Sequence, residues 1–503
     1  MFSEVDREIE HVRSMVAARF PVYETRVTPQ AVVFLVTADP ATLETKFEDL
    51  RIELVPKNYI PYLTRENGEY AILIQRRPPQ RFMGPRVNLV LLIVTLLTTT
   101  VAGALNWAGY ADIEWLTPEA FAKGSLFFTL PLIGILSIHE MGHYIVAKRY
   151  KVHTSLPFFI PAPVAPLGTF GAMISMRDPI PNRKALIDIG ASGPILGLLT
   201  AIPVTLIGLV LMSIDPRPAG VNIGGQTLID LPPLYKALAL FVPIPQGSLL
   251  HPTAFAGWVG LFVTALNLLP AGQLDGGHVA RAVLGDRGKY VSWAAVVVML
   301  GLGLVYPGWF IIAVFILLMG ARHPPPLNDL TRLDTKRHLL AAAAAAVLFV
   351  SFVAVPLNIV PPEVGVQFEA VGAPGASVQE LNATVTNQSI TAFSFLVVNV
   401  GNVKTNVTLR IDLVDLPNLN LNASFANITI GNRSYAVRPS ARVSFFLNST
   451  EAANVTLLLN ATKYERESDV SWTFHILAHL DGERVRSFDL PRPLKIYMRV
   501  ASR

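Results

Sequence analysis

The chain has 503 residues, of which 51% are hydrophobic and only 15% are charged. Soluble domains carry about a quarter of charged residues, so this composition excludes a disordered or wholly soluble protein and predicts a polytopic membrane protein. The sequence contains no cysteine, which excludes disulfides, thiolate nucleophiles and cysteine-ligated metals. The formal net charge is +5, and no tract of Lys and Arg with interleaved aromatic residues indicates a nucleic-acid partner.

Residues 1–85 are polar and predict a small cytoplasmic α/β domain. Helical spacing of apolar residues predicts a first helix, and Asp39-Pro40 opens a second helix that reaches about Leu50. The first long apolar run begins only near Asn88, so we expect a membrane anchor there instead of a cleavable leader. Strands are predicted at 22–27, 31–36 and 70–75.

Residues 86–357 are predicted to form a transmembrane domain, because seven apolar stretches could each span a bilayer of about 30 Å. The fifth and sixth stretches are short and meet at a tight turn around Pro307. The apolar segment 235–245 contains two prolines and is too short to span, which favours a re-entrant or interfacial piece. The seven stretches lie near 88–106, 125–147, 186–213, 253–271, 290–305, 308–321 and 339–357.

Basic residues predict the orientation of these spans, because cytoplasmic loops carry an excess of Lys and Arg. With seven spans, five basic clusters fall on one side, which places the N-terminus in the cytoplasm and the C-terminal region outside the cell. The clusters contain Arg76, Arg77, Arg81 and Arg86; Lys148, Arg149 and Lys151; Arg183 and Lys184; Arg281, Arg287 and Lys289; and Arg322, Arg332, Lys336 and Arg337.

Residues 360–503 are rich in Val, Thr, Asn and Phe in alternating stretches, which predicts an extracytoplasmic β-sandwich. Nine Asn-x-Ser/Thr sequons are confined to this region. Chance explains any single sequon, but nine in one region favour an external face that carries glycans. The sequons begin at Asn382, Asn387, Asn406, Asn422, Asn427, Asn432, Asn448, Asn454 and Asn460.

The second predicted span contains His139-Glu140-Met-Gly-His143. Histidines at i and i+4 lie on one helical face and can both bind one Zn²⁺, and Glu140 is placed to accept a proton from a zinc-bound water. Ionisable groups inside an apolar span are costly and usually face an internal functional site. The alternatives are a structural polar cluster or a proton relay, and Fe²⁺ or Co²⁺ could use the same ligands.

A third metal ligand is expected from the polar cluster at the end of the fourth predicted span, where Asp275 is the obvious carboxylate. Pro270 and the neighbouring glycines would break the helix and let Asp275 turn inward. His278 is a competing ligand, but its basic surroundings favour a surface position. Asn267 could donate a hydrogen bond to substrate or to a developing oxyanion, although a helix-packing hydrogen bond fits it equally well.

The motif HExxH at 139–143 and the motif NxxPxxxLDG at 267–276 together resemble the site-2 protease family of intramembrane zinc metalloproteases. The resemblance covers about residues 125–290. The Gly168-Thr-Phe-Gly171 segment is similar to the membrane-dipping hairpin of this family, and more weakly to that of the plant ethylene-dependent gravitropism-deficient branch. No PDZ domain is identified, unlike in the bacterial regulators of envelope stress.

The resemblance implies a three-span catalytic core over 125–271, with zinc near the cytoplasmic side, that cleaves transmembrane segments of protein substrates. Membrane helices hide their peptide groups in their own hydrogen bonds, so a substrate stretch must unwind before water can attack it. A hairpin edge near 165–176 could hold that stretch as an added strand, which makes Gly168 and Gly171 candidate substrate-binding residues together with Asn267. Ordinary turn chemistry is an equal alternative for the two glycines.

Two other classes of protein compete with an intramembrane endopeptidase. A transporter or channel would use the same polar residues as a pathway, but it predicts paired or inverted repeats, which the sequence does not show. A receptor-like or adhesion protein would work through its external region and tolerate a degenerate metal site, whereas Glu140 and Asp275 are both intact. External sequons without cysteines favour an archaeal-type cell membrane as the location.

Overall fold

The computed structural model describes residues 4–77, 84–163, 166–217, 227–244, 247–372, 375, 377–413, 419–463, 470–482, 488–490 and 492–501. Arg81, one of the basic residues used to orient the spans, lies outside these ranges. The described residues divide into two compact units. One covers 4–217 and 230–356, and the other covers 227–229 and 357–501.

The N-terminal region forms a four-stranded antiparallel sheet, in the order β1-β2-β4-β3, with two helices packed around one core. The predicted helices and strands are confirmed, but the prediction missed β3, which is interrupted by Pro61. The second helix is longer than predicted. The elements are α1 (Glu4–Ala17), β1 (Val22–Val27), β2 (Val32–Val36), α2 (Pro40–Leu54), β3 (Tyr59–Glu66) and β4 (Glu69–Arg76).

The apolar middle of the chain forms ten helices and a short hairpin among the described residues. The elements are α3 (Pro85–Ala111), α4 (Pro118–Gly124), α5 (Leu130–Arg149), β5 (Phe158–Pro161), β6 (Thr169–Met173), α6 (Arg183–Ile214), α7 (Pro233–Ala239), α8 (Pro252–Asn267), α9 (Asp275–Leu284), α10 (Gly288–Gly303), α11 (Gly308–Met319) and α12 (Thr335–Ser351).

Three helices in the described part of the chain are long and apolar enough to cross a membrane, which confirms a membrane-associated helical region. They are Pro85–Ala111, the continuous helix Pro118–Arg149 that includes α4 and α5, and Arg183–Ile214. The other four predicted spans coincide with the shorter helices α8, α10, α11 and α12, so the count of seven stays a prediction.

Two predicted span boundaries are wrong. The fourth span was expected to reach 271, but α8 ends at Asn267, because the chain turns sharply before Pro270. The seventh was expected over 339–357. Instead α12 begins at Thr335, where the Asp334 side chain accepts a hydrogen bond from the Arg337 amide, and the helix ends at Ser351.

A short connection after α11, the 327–331 segment, joins the N-terminal sheet to the helical region. The Leu63 amide of edge strand β3 donates to the Leu327 carbonyl at 2.8 Å, and the Leu327 amide donates to Ile180 at 3.0 Å. Leu327 is fully buried and completes the core of the N-terminal sheet. Arg51 of α2, also buried, donates to the Tyr150 carbonyl at the end of α5 at 3.1 Å.

The C-terminal region is β-rich, as predicted, and contains two sheets that share one apolar core. One sheet has the order β10-β19-β17-β12-β15, with β18 beside β17, and the other has the order β14-β13-β16-β11-β9. β7 (Thr227–Ile229) pairs with β8 (Leu357–Ile359). The other strands are β9 (Val366–Ala370), β10 (Glu380–Thr386), β11 (Ile390–Asn399), β12 (Thr405–Asp412), β13 (Leu419–Ile430), β14 (Arg433–Ser440), β15 (Arg442–Leu447), β16 (Ala452–Lys463), β17 (Val470–Gly482), β18 (Phe488–Asp489) and β19 (Leu494–Ala501).

Candidate metal centre

The predicted His-Glu-His cluster lies on α5 and is buried within the helical region. His139 is 3% exposed, and Glu140 and His143 are each 5% exposed. The two histidines are one helical turn apart, and their Nε2 atoms lie 3.2 Å from each other. His139, Glu140 and His143 therefore form a group that could hold a metal ion.

The carboxylate of Asp275, at the start of α9, lies next to the two histidines of α5. Its Oδ2 atom lies 3.4 Å from the Nε2 atom of His139 and 3.3 Å from that of His143. Ligands around a tetrahedral zinc ion at 2.0–2.1 Å are separated from one another by about 3.3–3.4 Å. The three atoms form a nearly equilateral triangle of this size, so the donor set fits zinc without rearrangement.

The backbone of α6 determines which nitrogen of His143 is available. The Nδ1 atom of His143 donates to the Ile189 carbonyl at 2.7 Å, which leaves Nε2 as the nitrogen with a free lone pair. Hydrogen bonds of this kind are the usual support of metal-binding histidines. The Asn267 amide lies 3.3 Å from the Nε2 atom of His139, so the last residue of α8 also reaches the cluster.

Glu140 lies beside the triangle and not within it. Its Oε1 atom is 3.9 Å from the Nε2 atom of His139, which is longer than any of the three edges of the triangle. The carboxylate also accepts a hydrogen bond from the backbone of Ile174, one residue after β6. Glu140 therefore connects the metal-binding atoms to the hairpin.

Glycines of α6 make room for the two histidines. A Cβ atom at Gly193 would fall on the imidazole ring of His143, and one at Gly197 would lie 2.9 Å from Nδ1 of His139. The backbone of α6 therefore approaches both histidines closely. Any larger side chain at these two positions would displace the histidine rings from their positions beside Asp275.

Asp275 reaches the cluster because the chain turns back on itself after α8. A Cβ atom at Gly276 would collide with the carbonyl groups of Leu268 and Leu269, so only glycine permits this approach. Leu274 precedes α9 in an extended conformation, and Asp275 is the first residue of the helix. The helix break predicted near Pro270 is therefore what aims the carboxylate inward.

The hairpin of β5 and β6 lies between α3 and α5. Gly168 is buried with a φ of +73°, and a Cβ atom there would lie 2.5 Å from the Thr98 carbonyl of α3. Gly171 has a φ of +106°, but the space around its Cβ position is open. Phe170 between them is 75% exposed. Gly168 thus allows the hairpin to pack closely against α3, whereas Gly171 lies on the accessible part of the hairpin.

We expect Gly168→Ala to disturb the hairpin more than Gly171→Ala. Both alanines would be strained by a positive φ, at a cost of about 1–3 kcal/mol each, but only the Gly168 variant also collides with the α3 backbone. Limited proteolysis at the hairpin, in detergent, would measure the difference. Equal cleavage rates in the two variants would contradict the seating role of Gly168.

Two other polar residues have positions that the sequence did not predict. His278, expected at the surface, is buried beside Gly190, and its Nδ1 atom donates to the Leu274 carbonyl at 3.0 Å. The prediction was wrong because α9 packs this face against α6. Asp188 of α6, for which the sequence analysis makes no prediction, accepts hydrogen bonds from Tyr150 and from Arg337, each at 2.6 Å. Sequence spacing gives no sign of that partnership.

Two histidines and a carboxylate in a zinc-sized triangle, with a glutamate beside them, form the donor set of a catalytic zinc site. Residues 127–306 match the model of Peptidase family M50, the site-2 protease family, and this confirms the resemblance predicted from the two motifs.

Several curated plant proteins are similar to this chain. The probable chloroplastic zinc metalloprotease EGY1 of Arabidopsis thaliana is 32% identical over 46% of this chain and 43% of its own length. EGY1 of Oryza sativa is 31% identical over 49% and 43%, and EGY2 of Arabidopsis thaliana is 27% identical over 38% and 35%. The chain therefore matches less than half the length of these relatives.

Proposed function

We propose that this protein is an intramembrane zinc endopeptidase that cleaves transmembrane segments of substrate proteins. The observation that carries the proposal is the buried triangle of His139, His143 and Asp275, whose metal-binding atoms lie 3.2–3.4 Å apart with Glu140 beside them. The match to Peptidase family M50 over 127–306 supports the same activity.

In this proposal His139, His143 and Asp275 hold zinc, which supplies an acidified, polarised water when bound. Glu140 accepts the proton of the attacking water and returns it to the leaving amine. The cluster is buried and excludes bulk water, so the electrostatic interaction of the Glu140 carboxylate with the reacting atoms is stronger than it would be in water. The Asn267 amide, 3.3 Å from His139, donates a hydrogen bond to the substrate carbonyl as it becomes an oxyanion.

The hairpin supplies the binding surface for an unwound substrate. The Ile174 backbone already contacts Glu140, so a substrate strand added along β6 would bring its peptide carbonyls to the same place. Gly168 holds β6 in position, and Gly171 leaves space for the added backbone. The exposed Phe170 offers an apolar contact to a substrate that comes from the bilayer.

The proposed setting is a cell membrane crossed about seven times, with the N-terminal sheet in the cytoplasm and the C-terminal β-region outside. The positions of the basic clusters support this orientation. The sequons of the β-region support glycans on its surface, where Asn382, Asn422 and Asn432 are exposed.

The test compares the wild-type chain with Asp275→Asn for zinc content and for cleavage of a generic transmembrane substrate in detergent. We expect about one zinc per wild-type chain. The variant should lose both zinc and cleavage, because one of the three proposed zinc ligands is removed. The matched control is Asp286→Asn, the same change at a side chain that is 88% exposed. Full zinc content in Asp275→Asn, or no zinc in the wild type, would overturn the proposal.

A further inference from the structure

A cavity of about 470 Å³ lies between α5, α6 and α12, and its lining includes neither His139, His143 nor Asp275. Its walls are mainly apolar and include Val146 of α5, Ile195 and Leu196 of α6, and Leu340 of α12. Leu196 is 36% exposed, so the cavity borders the outer surface of the helices. Its size falls within the range of small-molecule sites, about 300–1,000 Å³.

One end of the cavity is polar, and its acidic group is already neutralised. Asp188 accepts hydrogen bonds from the Tyr150 hydroxyl and the Arg337 guanidinium, both at 2.6 Å. Burial and the hydrogen bond to Asp188 raise the pKa of Tyr150 to about 12, so its phenol stays neutral. Arg337 therefore neutralises Asp188 in the lining, and it also pairs with Asp334 at 2.6 Å outside the lining.

Arg149 is the remaining charged residue of the lining, and it is exposed. Neighbouring arginines have carboxylate partners, since Arg51 pairs with Glu48 and Arg337 pairs with Asp188. Arg149 takes part in none of the ion pairs found in the described ranges. The cavity therefore combines an apolar interior with one unpaired cation at its mouth.

An apolar cavity with a cation at its mouth fits a ligand that has an apolar chain and an anionic headgroup. The last turn of α5 carries Lys148 and Arg149 at the end of the helix that the basic-residue pattern places near the cytoplasmic surface. Pockets between membrane helices with basic residues at that level bind anionic lipid headgroups. We infer that the cavity binds a membrane lipid through its anionic phosphate, with Arg149 on the phosphate and an acyl chain against Ile195 and Leu340.

The shared chemistry is a phosphate, which could also come from free phosphate in solution. A free phosphate would satisfy Arg149 but leave the apolar walls uncovered, so the structure favours a lipid. The site is separate from the metal-binding atoms, and lipid binding can be measured without any cleavage assay. Its test is therefore independent of the proposed peptidase activity.

The experiment titrates the purified full chain in detergent with phosphatidylglycerol, phosphatidylcholine or inorganic phosphate, and counts bound molecules by native mass spectrometry. We expect one phosphatidylglycerol per wild-type chain, weaker phosphatidylcholine binding, and no displacement by inorganic phosphate. Arg149→Gln should weaken phosphatidylglycerol binding about five- to tenfold, because one cation near the phosphate is lost.

The matched control is Lys148→Gln, which removes the same charge from the adjacent residue, whose ammonium lies over the Tyr144 ring instead of lining the cavity. Lys148→Gln should bind phosphatidylglycerol like the wild type. Leu340→Trp, which fills the cavity from α12, should lose the lipid while its thermal unfolding stays unchanged.

Three results would overturn the inference. The first is wild-type lipid affinity in Arg149→Gln or in Leu340→Trp. The second is an equal loss of affinity in Lys148→Gln, which would indicate general surface charge. The third is displacement of phosphatidylglycerol by inorganic phosphate, which would identify a free-phosphate site.

Discussion

Glu140→Gln is expected to lower kcat on a transmembrane substrate by about 10²–10⁴-fold while zinc content stays at the wild-type level. Glutamine has nearly the same shape as glutamate but cannot accept a proton from water. Glu140 lies 3.9 Å from His139 and outside the triangle of shorter edges, so its loss should leave the metal-binding atoms in place. Metal analysis and single-turnover cleavage of the same preparation would measure both quantities.

The control for this experiment is Glu119→Gln, the same change at an exposed glutamate that pairs with Lys123 in α4. It should keep both zinc and cleavage. Loss of zinc in Glu140→Gln would instead make Glu140 a metal ligand. Full cleavage by Glu140→Gln would contradict its role as the general base.

Gly193→Ala is expected to weaken zinc binding by about 10–100-fold, the size of effect seen when the support of a metal ligand is disturbed. An added methyl group would fall on the His143 ring, which is held between α5 and α6 by its hydrogen bond to Ile189. Because both helices are packed at this point, the ring must move and the triangle must open. Zinc titration against a competing chelator would measure the change in affinity.

Gly134→Ala is the matched control, since it lies on α5 with nothing within 4 Å of its Cβ position. In a helix interior, alanine is more favourable than glycine by about 1 kcal/mol. Gly134→Ala should therefore keep its zinc affinity and unfold at the same or a higher temperature. Equal zinc affinity in the wild type and Gly193→Ala would show that the α5–α6 contact does not hold His143.

The residues of the candidate site could be predicted because each carries a local signal. The spacing of His139 and His143 is a property of any helix, and the glycines around Asp275 indicate a break that turns a carboxylate inward. His278 could not be placed in this way. Its burial depends on the contact between α9 and Gly190 of α6, and spacing along the chain does not encode which helices meet.

The same reason explains the parts of the fold that sequence reasoning missed. Strand β3 contains Pro61, a residue that is rare inside a sheet, and it is tolerated because β3 is an edge strand beside the 327–331 segment. The cavity beside Arg149 depends on α12, which is distant in sequence. In contrast, strand β15 and helices α3 and α6 could be predicted, because alternating residues and apolar runs are local features of the sequence.

The 327–331 segment has a consequence for the order in which the protein is built. Leu327 fills the core of the N-terminal sheet and pairs with Leu63, although it is synthesised only after α11. During translation the N-terminal sheet emerges first with an unfilled core and an unpaired edge strand. Its completion must wait for the ribosome to deliver the sequence that follows α11. The N-terminal sheet should therefore gain its full resistance to proteolysis late, when the helices up to α11 are already made.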